Sequence, residues 1–93
     1  MNRKKLVFAR KRIDHLDNRI FYLIKRRTKI VDHMMTIKNL KKQIVDQKRI
    51  NQILKKVREK SIKNKIDPKI THRIWKSMIW AYVKYQRKNF KKK

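Results

Sequence analysis

The sequence has no cysteine, no glycine, a single proline and only six acidic residues. Each shortage excludes something. Without cysteine there are no disulfides and no thiolate-ligated metals, and a reducing compartment is permitted. Without glycine there is no phosphate-cradling glycine loop. No apolar run approaches the roughly 18 residues that span a bilayer. The opening MNRKKLVFAR is basic but leads into no apolar segment, so a signal peptide is not expected and cytoplasm is the default location. His15, His33 and His72 do not fall at metal-ligand spacings, so no metal and no cofactor is expected. No Ser or Thr stands beside a His and an acid in a nucleophile motif; Thr71-His72 is only a dipeptide.

What is abundant is positive charge. Thirty-one Lys and Arg against six acids give a net charge of +25. A polyanion partner is the first inference, nucleic acid or an anionic surface. A composition rich in Lys, Ile and Asn gives the same total with no binding role. Along the sequence the cations run the whole chain rather than gathering in one patch. A non-catalytic nucleic-acid-binding protein is therefore an alternative, ranked behind the reading below. Ninety-three residues make one domain, 1–93, with a small core.

The chain is organised around its first third. Between Arg10 and Lys38 there is neither Pro nor Gly, and Ile13, Leu16, Ile20, Leu23, Val31 and Met34 recur in steps of three and four. That is the period of one helix face. The gap in the stripe is filled by Arg27, and its ends run into Arg10 and Lys38. A cation on a core-like face loses hydration and needs an anionic partner. With too few acids in the chain, a small anionic ligand is the expected partner. Asp14 and Asp17, three residues apart on an open helix, read as ion-pairing groups, not as a catalytic carboxylate pair.

The first helix is expected from about Lys5 to Lys38, after a frayed basic tail, and would be roughly 50 Å long. A compact domain of this size is roughly 25–30 Å across. Either the helix breaks, or a second copy of the chain covers its stripe; an intertwined helical homodimer is expected. Asn39 to Lys48 reads as a loop in which Asp46 caps a second helix, from about Gln47 to Lys63, with Ile50, Ile53, Leu54 and Val57 inward. Arg49 borders that side. Asp67-Pro68 starts a third helix, to about Asn89, because Asp caps and Pro suits the first turn. Its stripe is Ile70, Ile74, Trp75, Met78, Ile79, Tyr82 and Val83, and Gln86 follows on the same face. Trp75, Trp80 and Tyr82 read as packing groups. A basic tail follows from Lys88. No strand is expected, so the fold class is all-α, with a long, a short and a medium helix. A membrane-surface role for the first helix ranks behind pairing with protein.

Arg10, Arg27, Lys38 and Gln86 are thus polar groups where core is expected, and Arg49, which by its local sequence reads as a solvated helix end, borders the same side. Guanidinium forks bind carboxylates through two hydrogen bonds, and Lys and Gln each donate to a single oxygen. A small dicarboxylate ligand fits this set.

From about Leu6 to Gln86 the sequence resembles the all-helical, AroQ-type chorismate mutases, which include the related isochorismate-pyruvate lyases. The motifs are Arg10, Ile13, Asp14, Leu16 and Asp17; then the Arg26-Arg27 pair; Lys38 at the end of the first helix; Asp46 and Arg49; and Gln86 in the third helix. The resemblance implies a three-helix protomer in an intertwined dimer with two sites, and no cofactor. It implies that Arg10 reaches into the partner's site to join Arg27, Lys38 and Arg49. In this reading Lys38, Gln86 and Arg27 are catalytic, and Arg10, Arg27, Arg49, Asp46, Met34, Ile50, Ile79 and Tyr82 bind substrate. The implied substrate is chorismate, drawn from the shikimate pathway, and the product prephenate serves phenylalanine and tyrosine synthesis. Two positions depart from the mutase pattern. Mutases commonly carry a Glu where this chain has Ile50, and the lyases are apolar there and resemble this chain at Tyr82. The Pro-rich loop of the lyases is absent. Chorismate mutase is therefore the expected activity, with isochorismate-pyruvate lyase as the alternative on the same site.

Overall fold

The computed structural model describes residues 2–37 and 44–90. Among them there are three helices and no strand: α1, Arg3–Ile37; α2, Gln47–Lys63; and α3, Pro68–Asn89. The all-α expectation is met. No described helix is long and apolar enough to cross a membrane. Two compact units divide the chain, Met1–His33 and Met34–Lys93.

α1 runs 35 residues without a break, so that route to a compact shape is not taken. It also starts earlier than expected. Asn2 accepts from the Lys5 amide through Oδ1 (3.1 Å) and through its carbonyl from the Leu6 amide (3.2 Å). Residues 3–5 are therefore helical, not a frayed tail, because an Asn at this position satisfies amides the helix itself cannot. Ile13, Leu16, Ile20 and Leu23 are each more than half exposed, and Val31 is the buried residue of α1. The expected end at Lys38, and residues 39–43 of the loop, lie outside the described residues.

In the second unit α3 packs against α2. Both start signals act as expected. Asp46 accepts from the Arg49 amide at 3.0 Å, and Asp67 from the Lys69 amide at 2.9 Å with Pro68 in the first turn. The exit from α2 was not foreseen. Lys65 takes φ 58°, the left-handed conformation that favours glycine. The Ile66 amide then bonds the Ser61 carbonyl (2.9 Å) and the Lys65 amide the Ile62 carbonyl (3.2 Å), a Schellman closure. In a chain without glycine, a lysine carries that conformation.

The core of this unit is Ile44, Ile50, Ile79 and Val83, with Ser61 and Gln86 among them. Two readings need correction. Ile44, expected in an unstructured loop, is buried. Ile70 and Ile74, expected inward, are more than half exposed, because they lie on the far side of α3 from its buried face of Ile79, Val83 and Gln86. α3 runs to Asn89 as expected, and Phe90 closes it onto the Gln86 carbonyl at 2.8 Å.

Candidate active site

The α2–α3 pair sets the register of the second unit through a hydroxyl chain. Ser61 Oγ lies 2.6 Å from the Val57 carbonyl oxygen and 2.7 Å from Thr71 Oγ1. Ser61 donates to the carbonyl and accepts from Thr71, which joins the end of α2 to the start of α3. Ser61 is 3% exposed, so both groups need these partners. The turn at 64–67 folds α3 back along α2. Eleven residues back from Ser61 is Ile50, and eleven forward from Thr71 is Tyr82. The start of α2 is therefore level with the later turns of α3.

Several expected site residues collect at that end. Ile50, in the first turn of α2, is buried; Ile79 and Gln86 are buried on α3, and Tyr82 is half-buried, edge-on to Tyr85 at 6.4 Å. Ile79, Val83 and Gln86 follow one another by four and three residues, so one face presents two aliphatic side chains and then an amide. Gln86 is 7% exposed. Asp46 is spent as the cap of α2, where it fixes the backbone of Arg49. The Arg49 side chain lines a cavity of about 630 Å³ along α2, with Lys56 and Lys60 beside it and Ile53, Val57 and Trp75 among its walls. Sequence reasoning did not find Lys56, Lys60 or the Ser61–Thr71 pair. The signal available was that Ser61 continues the Ile50, Ile53, Leu54, Val57 stripe by one more turn.

The remaining candidates are on α1 and are not brought together within it. Arg10 is exposed. Arg27 is half-buried, with its Nη1 atom inside. Seventeen residues separate them, roughly 25 Å along the helix axis. No small dicarboxylate bridges that distance on one helix. Met34 is exposed near the end of α1, and Lys38 lies outside the described residues. Among the described residues, no three His, Cys, Asp or Glu side chains are grouped to hold a metal ion.

These features define an all-α protein, with three helices among the described residues. Its family is that of chorismate mutase type II: the family's model matches residues 9–87, most of the chain, and the protein belongs to it. No curated protein and no solved structure matches the chain.

Proposed function

We propose that the protein is a chorismate mutase that works as an intertwined homodimer. The observation that carries this reading is Gln86, an amide buried on an otherwise aliphatic face of α3, in a chain of this family. Arg10, Arg27 and Arg49 hold the two carboxylates of chorismate, and Lys38 and Gln86 donate to its ether oxygen. Asp46 positions Arg49 through the α2 cap, while Met34, Ile50, Ile79 and Tyr82 shape the apolar walls. The separation of Arg10 from Arg27 supports the dimer: Arg10 serves the partner's site, because it cannot reach the one that Arg27 serves.

The reaction suits these groups. Chorismate becomes prephenate in one pericyclic step, in which the ether C–O bond breaks as a C–C bond forms. No proton, nucleophile or cofactor takes part. The barrier falls when the carboxylate clamps fold the substrate so that the reacting carbons meet. It falls further when a fixed cation and an amide stabilise the negative charge growing on the ether oxygen. A cytoplasmic location and a place in phenylalanine and tyrosine synthesis go with this reading.

Ile50 supports a second reading. It is a buried aliphatic residue where mutases commonly carry a Glu, and the isochorismate-pyruvate lyases are apolar there. A paired assay separates the two. One arm offers chorismate and follows prephenate; the other offers isochorismate and follows salicylate. Prephenate formed faster supports the mutase. Salicylate formed faster makes the protein a lyase. A folded protein silent in both arms rejects both readings.

A further inference from the structure

Wound at 3.6 residues per turn, five of the eleven Lys and Arg of α1 fall on one face together with its exposed His and two aromatic residues. Lys4, Phe8, Lys11, His15, Arg19, Tyr22, Arg26, Lys29 and His33 follow one another in steps of three and four, so they share one face. All nine are exposed, and all belong to the one unit Met1–His33. The row holds five cations, two histidines and two aromatics, with no acid and no aliphatic residue. It is roughly 43 Å long. The three acids of α1, Asp14, Asp17 and Asp32, lie about a quarter-turn or more from its centre, and the apolar stripe of Ile13, Leu16, Ile20 and Leu23 is centred roughly 125° away.

We propose that this face of α1 binds single-stranded nucleic acid without sequence preference. The five cations track the phosphates, and the aromatics between them give bases a surface to stack on. Phe8 and Tyr22 are 65% and 62% exposed, which leaves their rings open to a base. Shallow hollows flank Phe8. One, of about 320 Å³, is walled by Phe8, Lys11, Arg12, His15 and Leu16; another, of about 340 Å³, by Arg3, Lys4, Val7, Phe8 and Lys11. Each puts cations beside an aromatic ring. A lipid surface fits less well, since insertion needs aliphatic side chains and this row has none. The centre of the face points away from the apolar stripe that a second copy would cover and meets that stripe only at Leu16, and the proposal does not rest on the mutase reading.

The test is fluorescence anisotropy of a labelled twenty-nucleotide oligo(dT) against the whole protein at several salt concentrations. Five phosphate contacts on a single strand give a log–log salt slope near −3.5, so affinity falls roughly 100-fold between 50 and 200 mM salt. Reversing Lys11, Arg19 and Lys29 to Glu flattens that slope by about 2. The control reverses Lys55, Arg58 and Lys69, exposed cations of the other unit, and so makes the same charge change. Circular dichroism confirms that both variants are helical. Phe8→Ala with Tyr22→Ala weakens oligo(dT) about 10-fold or more and leaves a duplex of equal length unaffected. Three results overturn the proposal: no binding at 50 mM salt, equal losses in the two charge-reversed variants, or tighter binding to phosphatidylserine vesicles than to the oligonucleotide. Equal loss of duplex and single strand in the aromatic variant overturns the assignment to single strands.

Discussion

Gln86 shows how a single buried amide can be weighed. It is buried at a position where α3 otherwise presents Ile79 and Val83. Gln86→Leu is expected to lower kcat about 10²–10³-fold, the usual loss of one charge-stabilising donor, about 3–4 kcal/mol. The melting temperature should change little. A large fall in melting temperature with kcat preserved would make Gln86 a structural residue. Lys38→Ala is expected to lower turnover by a similar factor without weakening the dimer, and near-normal turnover in that variant would reject its role.

At the scale of the element, the helix ends show what could be read from sequence. The caps at Asp46 and Asp67 were legible because they depend only on neighbours one turn away. Arg10, Arg27, Lys38 and Gln86 stand out in the sequence because each falls within or at the end of an apolar stripe, whereas Arg49 only borders one and is singled out by the family pattern. The start of α1 was missed because Asn2 sits in a basic run that reads as a tail. The Ser61–Thr71 bond was missed because it depends on the register between two helices, which neither helix states alone. The turn at Lys65 was missed for a related reason. Its left-handed backbone follows from the closure of α2 onto Ser61, and no glycine marks it. That conformation costs a non-glycine residue roughly 1–2 kcal/mol, partly offset by the extra freedom glycine has when unfolded. Lys65→Gly is therefore expected to stabilise the protein by roughly 0.5–1 kcal/mol, seen as a rise of a few degrees in melting temperature. A decrease would show that the strain is relieved elsewhere in the turn.

At the scale of the molecule, two properties of α1 bear on assembly. Its apolar stripe is largely exposed, and its two candidate arginines, Arg10 and Arg27, are roughly 25 Å apart along the helix. Covering Ile13, Leu16, Ile20, Leu23, Ile24, Ile30 and Met34, each about half exposed, contributes roughly 1 kcal/mol per side chain, or about 14 kcal/mol in a symmetric pair. Association costs roughly 4–15 kcal/mol, so the stripe alone roughly meets it, and Ile70 and Ile74 add to the favourable side. A dimer that shares sites predicts complementation. Arg10→Ala and Gln86→Leu chains are each nearly inactive alone. In a mixed dimer one site collects both lesions and the other collects neither. Random pairing at equal amounts makes half the dimers mixed, so activity should recover to about one quarter of wild type. Chains that each keep Arg10 and Gln86 in their own site cannot rescue one another. Recovery after co-refolding, with no recovery when the folded variants are mixed without exchange, would place Arg10 across the interface. Complete failure to recover, with mixed dimers demonstrated by mass, would place all the site residues in one chain and remove the reason for the length of α1.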